Sequence, residues 1–400
     1  MKIKTIPSIL TAALVCLELA GCMSTDLKPS EMPSVTEPQG TSAQASLEAP
    51  ATAEEKQSSE AYSEDVQKRA IKLLAHMTAE EKAGQLVLGR FPEENAAQDA
   101  QELHLGGYTL FARDFENMTP ESFTAQMEDI QSVVPLGLLF AVDEEGGSVV
   151  RVSKFPQYRD EKFPAQSQVL ESGGVDGVSA DAAAKSALLR SLGLNMNLAP
   201  VCDLPRSSED YIADRAFGTD CAEVSAAVKA AVGSYVRSGV VCTLKHFPGY
   251  GDNSDTHTGI SIDERPMSEL DSLDLEPFRA GISAGAPVVM VSHNIVKCVN
   301  ESLPGSLSPE MYTLLRDELG FSGVIMTDDL SMGAVEEYCG EDEAAVTAFL
   351  AGADLLCCTD YQSAVKSLTE AVDSGKITEE RLDESVMRIL EMKLGYGIIE

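Results

Sequence analysis

Residues 323–332 read Gly-Val-Ile-Met-Thr-Asp-Asp-Leu-Ser-Met, an apolar run of strand length that stops on two adjacent carboxylates, Asp328 and Asp329. A run that is apolar on both faces belongs to a strand covered on both sides, as in a parallel sheet flanked by helices. Charges set directly behind such a strand are costly unless they are used or paired. Working outward, the same arrangement recurs. Residues 240–244 run into Lys245 and His246, residues 288–291 are followed by His293, and residues 136–142 lead to Asp143, Glu144 and Glu145. Further apolar runs cover 107–111, 194–198 and 355–358, with helix-length amphipathic segments between them. Seven such strands in about 340 residues predict a (β/α)8 TIM-type barrel forming a single catalytic domain, in which all strand ends meet on one face. The eighth strand is not visible in the pattern, and an open doubly wound sheet is the alternative architecture.

Composition narrows the function. The 400 residues are 44% hydrophobic, enough for a large core, and carry a formal net charge of −34. Such an acidic surface repels phosphate backbones, so no nucleic-acid partner is expected. No metal motif, phosphate loop or cofactor signature occurs, so the expected cofactor list is empty.

The N-terminus has a basic start, Lys2 and Lys4, then an apolar stretch over 6–17 that is too short to span a bilayer. Leu19-Ala20-Gly21-Cys22 follows, which resembles the lipobox of exported lipoproteins. Residues 1–21 are therefore expected to be a cleaved signal peptide, with Cys22 acylated and the protein held on a membrane surface outside the cytoplasm. Residues 22–60, rich in Ser, Thr, Pro, Glu and Ala, read as a disordered tether, and residues 61–400 as the folded body. Of nine cysteines, cleavage removes Cys16 and the anchor takes Cys22. The odd number left includes at least one unpaired thiol, and several sit in apolar runs as small core residues. At the start of the body, one helix is expected over 66–76, and Thr78 to Glu81 forms a capping box that opens a second.

Two clusters carry chemistry. In the first, Lys245-His246-Phe247-Pro248-Gly249-Tyr250-Gly251 breaks a strand and opens a loop that holds Asp255 and His257. On an extended stretch these two share a side, so the carboxylate can orient the imidazole as a proton-transfer dyad. The plain alternative is a surface pair without a role. In the second cluster, the neighbours Asp328 and Asp329 point to opposite sides of a strand end. One can face a pocket while the other is held in a structural hydrogen-bond network or caps a helix.

Together these clusters resemble glycoside hydrolase family 3, and within it the bacterial β-N-acetylglucosaminidase (β-N-acetylhexosaminidase) branch. The resemblance covers residues 65–399 and includes, in order, Glu81-Lys82-Ala83-Gly84-Gln85, Gly106-Gly107-Tyr108, Asp143-Glu144-Glu145-Gly146-Gly147, Asn197-Leu198-Ala199-Pro200-Val201, Asp214-Arg215-Ala216-Phe217-Gly218, and the two clusters above. It implies that Asp328 is the nucleophile of a retaining, exo-acting enzyme that forms a covalent glycosyl-enzyme, and that His257, oriented by Asp255, is the acid/base. This replaces the second carboxylate of most retaining glycosidases. It further implies that Asp143, Arg151, Arg215, Lys245 and His246 hold the sugar hydroxyls and acetamido group. Members of this type often have Arg where Ser148 stands and His where Tyr250 stands, and both departures bear on substrate preference. Related β-glucosidases take their acid/base from a second domain, which is not expected here after the closing helix that ends near Glu400.

The expected activity is removal of terminal β-linked N-acetylglucosamine from cell-wall or chitin-like saccharides by a monomeric, lipid-anchored enzyme. Two alternatives stand beside it. One is a phosphorylase using the same dyad. The other is a non-catalytic sugar-binding lipoprotein, against which the retained Asp328, Asp255 and His257 argue. His76 and His104 are assigned no function, while His293 either lines the pocket or hydrogen-bonds within it.

Overall fold

The structure is a computed structural model that describes residues 62–256, 259–336, 338–339 and 341–399. The leader, Cys22, the tether and His257 lie outside the described residues. The body opens with the helix Glu64–Leu74, N-capped by Ser63, and the helix Ala79–Gln85. The predicted capping box is present: Thr78 Oγ1 accepts from Glu81 N at 3.2 Å, and Glu81 Oε2 accepts from Thr78 N at 2.7 Å.

Eight strands form the main sheet among the described residues: β1 Val87–Arg90, β2 Gly107–Leu110, β3 Leu139–Val142, β4 Met196–Asn197, β5 Val241–Phe247, β6 Val288–Val291, β7 Val324–Thr327 and β8 Leu356–Cys358. They are hydrogen-bonded in chain order, every pairing is parallel, and β8 pairs back onto β1. Between β7 and β8, Met326 bridges Leu355, and Thr327 N donates to Leu355 O at 3.1 Å. The sheet therefore closes into the expected (β/α)8 barrel, and the open-sheet alternative is set aside. β2, β3, β5, β6 and β7 are buried along their whole length, which is why they read as unbroken apolar runs.

The strand missing from the sequence pattern is β1. Its residues follow the helix Ala79–Gln85 across the single C-cap residue Leu86, with no Gly or Pro between, so the pattern reads as continuing helix. Gly89 within it lets the Tyr361 ring lie against the strand, since a Cβ there would fall 2.8 Å from that ring. Helices sheathe the barrel: Gln166–Ser191 packs on Cys221–Ser238, which packs on Leu275–Ser283. The C-terminal helix Glu379–Gly395 packs on the first two helices. One core runs through the barrel and under the helices, each buried Leu, Ile, Val or Phe contributing about 1.5–3 kcal/mol.

Candidate active site

A cavity of about 640 Å³ opens at the C-terminal ends of the strands. Every strand end contributes to it: Arg90 from β1, Thr109 from β2, Asp143 after β3, Leu198 after β4, Lys245 and His246 from β5, Met290 from β6, Asp328 after β7 and Thr359 after β8. Arg151 and Arg215 line the same cavity. Six of the predicted site residues, Asp143, Arg151, Arg215, Lys245, His246 and Asp328, are thus brought together.

A charge network forms one wall. Lys245 Nζ lies 2.7 Å from Asp143 Oδ1 and 2.6 Å from Glu145 Oε1. Arg215 grips Glu145 with two bonds, Nη2 at 2.7 Å and Nε at 3.0 Å. Arg151 Nη2 reaches Asp143 at 3.4 Å. Burial pushes the Asp143 and Glu145 carboxyls up, but the neighbouring Lys245 and the arginines outweigh it. Asp143 is held well below the usual carboxylate range and Glu145 drops to about 2. The same carboxylates keep Lys245 charged, raising its ammonium against the effect of burial. Three cations share two anions, so the network presents donors to a polyhydroxyl ligand.

Lys245 and His246 are consecutive yet both line the cavity. The β5–β6 register slips between Leu244 and Phe247, and the Lys245–His246 peptide is cis. His246 Nδ1 is paired with Asp203 Oδ2 at 2.7 Å, which leaves Nε2 facing Arg215 Nη2 at 3.1 Å. Asp203 also accepts from the backbone N–H of His246 and of Tyr250.

The two carboxylates after β7 have separate tasks. Asp329 accepts from Ser331 N at 3.0 Å, from Ser331 Oγ at 2.8 Å and from Thr359 Oγ1 at 3.1 Å, a structural role in the turn. Asp328 faces the cavity and accepts from the Asp329 N–H at 2.9 Å. Burial raises its carboxyl, but nearby His293, His246, the Asp329 amide and Lys245 outweigh this and hold it below the ordinary value. Asp328 is therefore an anion at neutral pH. His293 is fully buried; its Nδ1 pairs with Ser306 Oγ at 2.7 Å and its Nε2 with the Asp329 carbonyl at 2.9 Å.

Asp255 is half-buried beside the hydroxyl of Tyr211, itself a cavity residue. Ser148 is exposed at the cavity edge. Tyr250 stands behind the wall: 1% exposed, it packs edge-on against His246 with ring centroids 5.2 Å apart.

Several working residues went unassigned in the sequence. Glu145 joins two cations, and Asp203 orients His246. Glu144 shapes the loop that delivers Arg151 by accepting from the N–H groups of Arg151, Val152 and Ser153 and from Ser153 Oγ. That loop reverses at Gly146 and Gly147, both at positive φ, where a Cβ on Gly146 would meet Pro164 O at 2.1 Å. Glu144 and Glu145 were in view as part of the Asp143 motif. Asp203 gave no signal beyond following an apolar stretch.

A barrel whose eight strand ends surround an anionic aspartate and a charged wall is built as an enzyme site, and similarity to known proteins identifies it as that of a carbohydrate-active hydrolase. Residues 78–392 match the glycosyl hydrolase family 3 N-terminal domain. A β-hexosaminidase of Methylococcus capsulatus is 33% identical over 274 residues, covering 67% of this chain and 80% of its own. The β-hexosaminidase LpqI of Mycobacterium tuberculosis is 32% identical over 319 residues, covering 77% and 80%. Among solved structures, a family 3 β-N-acetylglucosaminidase from Paenibacillus superposes with a TM-score of 0.75 at 32% identity, covering 81% of this chain and 64% of that one. The chain belongs to glycoside hydrolase family 3 and is a glycoside hydrolase.

Proposed function

We propose that this chain is a retaining, exo-acting β-N-acetylglucosaminidase. The observation that carries the reading is the placing of Asp328, ionised and facing the cavity, within reach of the charges of the Asp143–Glu145–Lys245–Arg215 wall. The β-hexosaminidase relatives support the choice of sugar.

In the first step an Asp328 carboxylate oxygen attacks the anomeric carbon while the glycosidic C–O bond breaks. The leaving oxygen takes its proton from His257, which Asp255 orients. In the second step neutral His257 accepts a proton from water, the water oxygen bonds to the anomeric carbon, and Asp328 leaves as carboxylate. Asp143, Arg151, Arg215, Lys245 and His246 hold the sugar, with Glu145 fixing the two cations nearest to it. Such preformed donors gain strength in a water-poor cavity.

The protein acts outside the cytoplasm, tethered by residues 22–60 to a lipid on Cys22, on cell-wall fragments or chitin-like saccharides. The test is turnover of p-nitrophenyl β-N-acetylglucosaminide against the β-glucoside. Faster release from the N-acetylglucosaminide is expected, and equal or faster turnover of the glucoside overturns the choice of sugar. For the anchor, replacing Cys22 by Ser should release the protein from the membrane fraction, and a protein that stays there contradicts it.

A further inference from the structure

The segment after β5 is tied down before it reaches His257. Arg265 Nη2 donates to Gly249 O at 2.7 Å, and Ser254 Oγ donates to Ser261 Oγ at 3.2 Å, which closes the base of the loop. Inside that base, two tyrosines hold two consecutive loop residues. Thr256 is fully buried, and its hydroxyl shares a 2.6 Å hydrogen bond with the equally buried Tyr250. The Tyr250 ring is in turn wedged against His246 and, at 5.6 Å between centroids, against Tyr211. Tyr211 has the Asp255 carboxylate beside its hydroxyl and accepts from Arg215 Nη1 at 3.5 Å. With its hydroxyl pushed up to about 12 by burial and by Asp255, Tyr211 stays protonated and able to donate.

We propose that Tyr250 and Tyr211 are positioning residues for acid–base catalysis: through Thr256 and Asp255, the two residues immediately before His257, their hydroxyls set how the proton-transfer dyad is presented. The inference rests on the function proposed above. Asp255 has to meet His257 at a fixed angle, and the rotation of the backbone leading into position 257 is governed by residues 255 and 256. Tyr250 also links the loop to the sugar-binding wall, because its ring abuts His246.

Acid catalysis matters most when the leaving group is poor, and this gives a readout that a merely structural role would not move. The kcat/KM values of wild type, Tyr250→Phe, Thr256→Val and the double variant should be measured on p-nitrophenyl β-N-acetylglucosaminide and on N,N′-diacetylchitobiose. Phe keeps the packed ring and Val keeps the shape of Thr, so each change removes only the shared hydrogen bond. Tyr250→Phe should lower kcat/KM about five- to tenfold on the disaccharide and less than about twofold on the aryl glycoside. The double variant should be no worse than either single one. Equal losses on both substrates, or losses that multiply in the double variant, overturn the proposal. A wild type that cleaves neither substrate overturns the function on which it rests.

Discussion

The two ends of the barrel each bury a lysine, and they treat it in opposite ways. At the C-terminal end, Lys245 sits between Asp143 and Glu145 and is held charged. At the N-terminal end, Lys393 is fully buried and, among the described residues, bonds to neutral acceptors, Gln85 Oε1 at 2.7 Å and Gly137 O at 2.8 Å, and burial draws its ammonium down to about 7. Lys393 ties the last long helix to the barrel floor. The difference shows that burial alone does not make a site. What marks the catalytic end is a set of charges that hold one another ionised around an open cavity, while the floor uses its lysine as a hydrogen-bonding peg.

The largest expected effect lies at the charged end. Asp328→Ala should lower turnover by at least about a thousandfold while saccharide binding persists, since the variant loses the attacking group and keeps the wall. Steady-state rates with calorimetric binding check this, and a variant that keeps a tenth of the activity would break the contrast between the ends. Lys393→Met, at the other end, should leave kcat/KM within about twofold.

The next effect is on stability. Lys245→Met leaves two carboxylates buried side by side without their shared cation, which costs about 3–5 kcal/mol. Denaturant melts at pH 7 measure it, and a loss under about 1 kcal/mol would show that solvent reaches the network. Acid sharpens the same point. Asp143 and Glu145 ionise more readily folded than unfolded, so their contribution is complete above about pH 5 and is lost as pH falls toward 2. The acid unfolding midpoint should therefore shift upward in Arg215→Met relative to wild type.

The smallest effect is a slope. Lys393 binds its proton near pH 7 when folded and near about 10.4 when unfolded. Between these values the unfolded chain holds the extra proton, so this group makes stability rise with pH. The stability of wild type relative to Lys393→Met should increase from pH 7 to pH 10. A flat difference would mean that Lys393 is charged at neutral pH and that the two lysines are not opposites.

Much of the catalytic end was legible in the sequence because its residues stand directly behind apolar runs. Asp143, Lys245, His246 and Asp328 all follow that rule, and all line the cavity. β1 was hidden because its four residues continue the preceding helix without a punctuating residue. The roles of Asp203 and Glu145 were hidden for a different reason. Each acts through another side chain, and a hydrogen bond between positions distant in the chain leaves no periodic trace. Tyr250 shows the limit of motif reading, since the departure was visible while the partner of its hydroxyl, Thr256, emerged only from the packing.

The claim on which the rest depends is that Asp328 becomes covalently bound to the sugar. Incubation with a 5-fluoro N-acetylglucosaminyl fluoride, followed by peptide mass analysis, tests it directly. A single adduct is expected on the peptide that holds Asp328, absent in Asp328→Ala. An active enzyme that forms no adduct, or carries it on another residue, would show that Asp328 is not the nucleophile.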